Sequence, residues 1–557
     1  MKEAKFLLIG IDGATWLVMN PLIEKGRLPH IARLVREGAS GPLESTVLPN
    51  TPPAWISFMT GKNPGKTGIY DFLSRQIGTY DMKVCTSLDN PEPTIYEILS
   101  RVGRRVCSIN MPMTYPPQNV NGVMISGIPC PPHTRNFCFP EGLLHEIESA
   151  VGDYIVDIDY SKYDAHRQSG SRSLDAYDEL FAELLHALEQ RQKTILYLLE
   201  KEEFDLFAFV YSIVDRVQHY FWKFIDTSHP GYTEEGARRF GGTIAKAYEV
   251  VDRMIGEVLE SASEYDVTVM SDHGFGPYYR DFHLNNWLQE KGYLSLRKVP
   301  RWVFRRTTLG SVFRKFGMRR LARLMPGVLR DYPLPRLTRK NVRDTSDIIW
   351  EKTKAYSNLM GISMNLKGRE PEGIVTYGDD YDKLTARIME DLAELRDEKD
   401  GRKLIDRLDV KENLFFGPKV FLAADIYFMI AGLSCHITTR LDADHMFDDR
   451  TAFGMSGTHR MDGIMVIRAN GVVPGKRIEM ASIMDVPATL LYLMGHPVLK
   501  GMDGRVLDSI LEQGFSARHP VEYMDETVLR APRKEIGYTP EEKEEILNLL
   551  KGLGYLG

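Results

Sequence analysis

The chain has 557 residues, enough for one large α/β domain with insertions or for two domains. It is 43% hydrophobic and 26% charged, with a formal net charge of -6, an ordinary globular composition with no basic excess. No nucleic-acid-binding module is recognised on that balance. The cysteines (Cys85, Cys107, Cys130, Cys138, Cys435) are odd in number and form no CxxC pair, which argues against a disulfide framework or a thiolate zinc site.

The start, MKEAKFLLIGIDGATW, has an apolar run from Phe6 to Ile11 that is too short for a signal-peptide core. No stretch approaches the roughly 20 apolar residues needed to span a bilayer, so a cytoplasmic location is expected. The same run reads as a strand from Lys5 to Ile11. A turn at Asp12-Gly13 and a helix to about Gly38 follow.

Thr51 sits in LPNTPPAWISFMTG. Pro52 suits a first helical turn, so Thr51 is expected to be the N-cap of a helix. A helix start also offers N–H groups and a positive dipole end to a phosphate. GKNPGKTG resembles a phosphate-binding P-loop but is one residue short between its first Gly and the Gly-Lys pair, and is set aside.

Short buried-strand patterns recur at Val106 to Asn110, Val123 to Ser126, Leu206 to Tyr211, Val267 to Met270 and Ile464 to Ile467. Helical patterns lie between them, among them about Ser173 to Lys201 and about Arg238 to Ser261. Alternating strands and helices predict an α/β sandwich around a mostly parallel sheet, with helices on both faces and insertions. Ligands in such sheets bind at the carboxyl ends of strands. Asp12 follows the first strand, Asp215 and His219 follow Leu206 to Tyr211, and Asp272 and His273 follow Val267 to Met270.

Each of these residues also has an ordinary reading. Asp215 and His219, spaced i, i+4, share a helix face and are able to grip one cation, or are a helix start and a surface His. Asp272-His273-Gly274 suits a ligand pair at a sharp turn, or a plain β-turn. Asp12 is read as a cap or turn residue. His459, in SGTHRMDG, is read as a solvated loop His.

From Arg297 to Arg343 there are fifteen Lys or Arg residues and one acid, Asp331. Within this stretch SVFRKFGMRRLARLMPGVLR mixes basic and apolar residues at helical spacing. The expected organisation is a first part of the α/β unit over 1–296, a basic insertion over 297–343, a second part over 344–510, and a C-terminal extension with a terminal helix over 511–557. The insertion reads as a solvated face, as a lid over a polyanionic substrate, or as a helix making peripheral contact with an anionic membrane.

Taken in chain order, IGIDG, TPPAWISFMTGKNPGKTGI, DRVQH, SDHGFGP, GREPEG, GTHRMDG, MDVPATLLYLMG and MDGRVL resemble the alkaline phosphatase superfamily, and within it the type I phosphodiesterase and nucleotide pyrophosphatase branch. The resemblance runs from Phe6 to about Leu507. It implies a two-metal phosphoric ester hydrolase acting on a phosphate-ester substrate, with Thr51 as nucleophile and a covalent phosphothreonine intermediate. It implies one metal on Asp215, His219 and His459 and a second on Asp12, Asp272, His273 and Thr51. Sites of O and N ligands suit two zinc ions, with manganese as the second choice. Backbone N–H groups after Thr51 are expected to help hold the phosphate. The sequence departs from the branch at Thr67 and at Phe72, the position of an Asn that touches phosphate, so Lys62 and Lys66 are the candidate substrate-binding residues instead. A phosphotransferase or a phosphomonoesterase on the same fold, or a non-enzymatic binding protein, are the alternatives.

Overall fold

The structure is a computed structural model. It describes residues 4–160, 174–297, 345–441, 443, 445–449, 454–525 and 538–552, together with the strands Val303–Thr308 and Pro333–Thr338. An eight-stranded sheet forms its centre. In spatial order the strands are Ala39–Glu44, Asp462–Arg468, Asp266–Met270, Phe6–Ile11, Leu206–Tyr211, Val106–Met111, Gly122–Ser126 and Cys138–Phe139. The five strands from Asp266–Met270 to Gly122–Ser126 run parallel, and the antiparallel pairings are confined to the two edges. The sheet is mostly parallel, as expected, and its inner strands are buried on both faces because both faces carry helices. The helices Thr51–Thr60, Ile95–Arg101 and Asp485–Leu493 pack together as one group, while Trp16–Glu24, Pro29–Glu37, Leu174–Lys201, Ile213–Phe221 and Thr243–Ser261 form another.

Two predicted helices are broken. The helix expected from the first turn to Gly38 is two helices, Trp16–Glu24 and Pro29–Glu37. Gly26 between them takes a positive φ of 69° and Pro29 starts the second, so the chain turns where a continuous helix would need neither. The pattern from Arg238 to Ser261 is likewise divided at Gly241-Gly242, into Glu234–Phe240 and Thr243–Ser261.

Between Met270 and Asp462 the chain leaves the central sheet and builds a second hydrophobic core. Its main sheet is antiparallel, in the order Ala355–Leu359, Gly361–Met364, Ile426–Ile430, Ile405–Val410. A smaller sheet joins Cys435–Thr438, Arg280–His283 and Phe447–Asp448. Phe282, Trp287, Ile362, Ile388 and Phe428 fill this core. The amphipathic stretch of the basic insertion lies outside the described residues. The two described strands of the insertion, Val303–Thr308 and Pro333–Thr338, pair antiparallel. Pro540–Gly552 forms a helix in the C-terminal extension. Among the described residues, no helix is long and apolar enough to cross a membrane.

Candidate active site

Three parallel strands deliver the polar residues to one end of the sheet. Asp12 is the first residue past Phe6–Ile11, and its N–H donates to the Tyr211 carbonyl of the neighbouring strand. Gly13, at a φ of +66°, turns its own N–H onto Asp272 Oδ1 at 3.2 Å. A side chain at Gly13 would crowd Asp215, whose Cβ lies 3.2 Å from the position a Cβ there would take. Asp215 and His219 lie on the helix Ile213–Phe221, one turn apart and both buried.

Two clusters of ligand-type atoms result. In the first, Asp215 Oδ1 is 3.4 Å from His219 Nε2 and 3.4 Å from His459 Nε2, and the two Nε2 atoms are 3.1 Å apart. In the second, His273 Nε2 is 3.2 Å from Asp272 Oδ2, 3.8 Å from Asp12 Oδ1 and 3.4 Å from Thr51 Oγ1. The His273 and His459 rings stack with centroids 3.6 Å apart, so the clusters share a wall and His273 is also within reach of Asp215.

The hydrogen bonding of these side chains fits cations. Each imidazole donates Nδ1–H to a backbone carbonyl: His219 to Gly457 at 2.9 Å, His459 to Pro49 at 2.9 Å, His273 to Gly274 at 3.1 Å. That fixes the tautomer and leaves each Nε2 with a lone pair. Lone pairs 3.1 Å apart repel unless a cation lies between them. Asp12 Oδ1, Asp215 Oδ1 and Asp272 Oδ2 are buried with no hydrogen-bond partner among the described residues, an arrangement costly without a positive centre. The first triangle places its atoms about 1.9 Å from their common centre, close to the ~2.0–2.2 Å of zinc–nitrogen and zinc–oxygen bonds.

The electrostatics separate the clusters. Burial raises the Asp12 pKa well above the ordinary carboxylate range, and the neighbouring Asp272 adds to this. Burial, with the charge of Asp215, pushes Asp272 up to about 8. Burial opposes ionisation of Asp215 too, but its pKa lies well below the usual range, with the Arg216 guanidinium donating to its Oδ2. Burial keeps His219 and His273 below the usual imidazole value, hence neutral.

Thr51 is not the helix cap. It is the first residue of the helix Thr51–Thr60, and Asn50 is the N-cap, its Oδ1 accepting from the Thr51 N–H at 3.0 Å. Pro52 and Pro53 have no N–H, so the backbone donors expected just after Thr51 are absent. Lys62 and Lys66 lie beyond the other end of this helix. Lys62 is paired with Glu92, and Lys66 with Asp503 and the Gly501 carbonyl, so the fold does not bring them to the clusters. Phe72 is fully buried.

Three further elements of the site were not read from the sequence. Arg216 donates to Asp215 Oδ2 at 2.6 Å and to Asp157 Oδ2 at 3.1 Å, behind the first cluster. Its place beside Asp215 in DRVQH was the available signal. Asp71 accepts from Asn50 Nδ2 at 3.2 Å. His436, from the second core, is held near pKa 4 by burial and by the proximity of His459 and His219, and its Nδ1 has no partner among the described residues. No spacing in the sequence pointed to either.

The model of the type I phosphodiesterase / nucleotide pyrophosphatase family matches residues 6–462. Phosphonoacetate hydrolase from Sinorhizobium meliloti 1021 shares the fold, at 15% identity and a TM-score of 0.50, over 88% of this chain and 96% of that one. Human ectonucleotide pyrophosphatase / phosphodiesterase 5 aligns over 91% of this chain and 100% of its own, at 12% identity and a TM-score of 0.48. No curated protein matches the chain.

Proposed function

The chain belongs to the type I phosphodiesterase / nucleotide pyrophosphatase family, and on that premise we propose that it hydrolyses phosphodiesters through a covalent phosphothreonine on Thr51, with two bound divalent cations. The observation that carries this is the convergence of three carboxylate oxygens without hydrogen-bond partners among the described residues and three inward-facing Nε2 atoms beside one buried hydroxyl.

Asp215, His219 and His459 would hold one cation, and Asp12, Asp272, His273 and Thr51 the other; the all-O,N donor set favours zinc over manganese. Bound there, divalent cations supply Lewis acidity, lowering hydroxyl pKa values and neutralising phosphoryl charge. Thr51 Oγ1 forms the bond to phosphorus and the ester oxygen departs as an alcohol. Water then cleaves the phosphothreonine from the side the alcohol vacated. Two inversions give net retention at phosphorus. Burial of Thr51, Asp272 and His273 keeps bulk water from competing. The five free cysteines support a cytoplasmic setting.

The test is hydrolysis of bis-p-nitrophenyl phosphate against p-nitrophenyl phosphate by zinc-loaded protein, with and without chelator. The expected result is chelator-sensitive turnover favouring the diester, and a phosphorylated Thr51 peptide after acid quench. Absence of metal-dependent turnover on both esters and across a wider panel of nucleotides and monoesters would refute the reading and favour a binding protein.

A further inference from the structure

The start of the nucleophile helix is wired in an unusual way. An N-cap side chain normally accepts from the N–H of the second or third helical residue. Here those residues are Pro52 and Pro53, which have none. Only two of the first four helical residues, Thr51 and Ala54, carry an N–H, and Asn50 takes both. Its Oδ1 accepts from Thr51 at 3.0 Å and its backbone carbonyl accepts from Ala54 at 3.2 Å. The cap is therefore spent on the backbone of the residue that carries the hydroxyl.

An Asn amide presents an acceptor on one side and a donor on the other, in nearly the same shape. With Thr51 N–H as its only partner, a turned amide would aim NH2 at N–H. Asp71 removes that freedom. Its Oδ1 accepts from Asn50 Nδ2 at 3.2 Å, and it is itself pinned by the Phe72 N–H at 2.6 Å. Asn50 and Asp71 are both buried. On the other side of Thr51, His459 donates Nδ1–H to the Pro49 carbonyl, so the residue before Asn50 is tied to the first cluster. The run Pro49-Asn50-Thr51 is thus held from two directions. One is a candidate metal ligand and the other a carboxyl that belongs to neither cluster.

We infer that Asn50 and Asp71 act as a positioning pair that sets the direction of the Thr51 hydroxyl, Asp71 working only through Asn50. The inference rests on the reading of Thr51 as nucleophile and adds to it two residues outside the ligand set. A displacement of about 1 Å at a nucleophile costs on the order of 100-fold in rate, so this wiring bears on kcat rather than on substrate affinity.

Asn50→Ser keeps a short cap but loses the arm that reaches Asp71, and Asp71→Ala removes the acceptor. Asp71→Asn keeps an acceptor oxygen in place. On zinc-loaded full-length protein with bis-p-nitrophenyl phosphate, Asn50→Ser and Asp71→Ala are each expected to lower kcat at least tenfold with KM within twofold. The double variant should fall no further than the worse single one, and Asp71→Asn should stay within threefold of wild type. Losses that multiply in the double variant, or a Asp71→Ala protein with normal kcat, overturn the pair. Crystal structures of Asn50→Ser and Asp71→Ala provide a readout independent of activity: Thr51 Oγ1 should leave its place 3.4 Å from His273 Nε2. An unmoved hydroxyl in both overturns the inference. Should either variant fail to fold, Asn50→Thr, a cap residue too short to reach Asp71, carries the same two expectations. Wild-type protein without any ester hydrolysis would defeat the hydrolase reading, and the crystal structures alone would then decide the pair.

Discussion

Arg216 holds Asp215 from behind, its guanidinium 2.6 Å from the Oδ2 that faces away from the histidines. The other carboxylate oxygen, Oδ1, stays free toward His219 and His459. Outer partners of this kind orient a metal ligand and typically contribute about 10–100-fold in affinity. Arg216→Lys keeps the charge but cannot span Asp215 and Asp157 together. Zinc affinity at one of two sites is expected to fall about tenfold in competition with a fluorescent chelator, while the circular dichroism spectrum stays unchanged. Unaltered affinity at both sites would deny Arg216 this part.

Thr51→Ala should retain its metal, because six other ligand side chains remain, and lose at least 1,000-fold in kcat on the order expected for removing a nucleophile. Thr51→Ser should recover a measurable part of the rate. Elemental analysis alongside kinetics separates the two effects. Near-normal turnover by the Ala variant would mean the nucleophile lies elsewhere.

The clusters should empty separately. Asp272→Asn is expected to bind one equivalent of zinc where wild type binds two, and His219→Ala likewise, each losing the ion of its own cluster. His273 borders both clusters, so His273→Ala should disturb both. Inductively coupled plasma mass spectrometry after gel filtration gives the count. Full occupancy in Asp272→Asn would exclude Asp272 as a ligand.

Acid should discriminate between the sites. Asp272 titrates near 8 and Asp12 is raised well above its ordinary value in the metal-free protein, so this pair holds a proton at neutral pH. A cation arriving there must expel it, and its affinity therefore climbs with pH up to about 8. Asp215 is held low and presents no such competition. Calorimetry in two buffers of different ionisation enthalpy should show proton release on filling the Asp12–Asp272 site, and that site should empty first as pH falls.

Burial raises Asp71 from 3.8 to about 7, against the opposing bonds from Phe72 and Asn50. The folded protein keeps this proton over a range in which the unfolded chain has released it. Stability from this group is therefore full below about pH 4 and is lost as pH rises through 7. Asp71→Asn carries no titrating proton, so its melting temperature should gain on that of wild type between pH 5 and pH 8. A constant difference across that range would contradict the assignment.

Six strands of the central sheet were legible because they are short, largely buried and rich in β-branched and aromatic residues, whereas the edge strands Ala39–Glu44 and Cys138–Phe139 are part-exposed and carry no such pattern. Leu206–Tyr211 emerges with the predicted bounds. The candidate ligands were legible from the resemblance and from the place of Asp12, Asp215 and Asp272 after such strands, and the fold brings them together at one end of the sheet. The second core was not. Its strands include IDRLDV, half exposed and without clean alternation, which no period marks as a strand. The Asn50–Asp71 bond joins residues that only the folded chain brings together. The absent donors at Pro52 and Pro53 stand in the sequence, but Pro in a first helical turn is equally the mark of an ordinary helix start.

His459 lies on the strand Gly457–Arg460, which pairs antiparallel with Gly274–Pro277, placing His459 opposite Phe275. The whole second core is looped out between those two rungs. During synthesis the chain therefore carries Asp12, Thr51, Asp215, His219, Asp272 and His273 long before it carries the residue that closes the first triangle. A polypeptide halted short of Gly457 carries Thr51 and the residues of the second cluster but lacks His459 of the first. The first triangle is thus completed only by a strand that lies beyond the second core in the sequence.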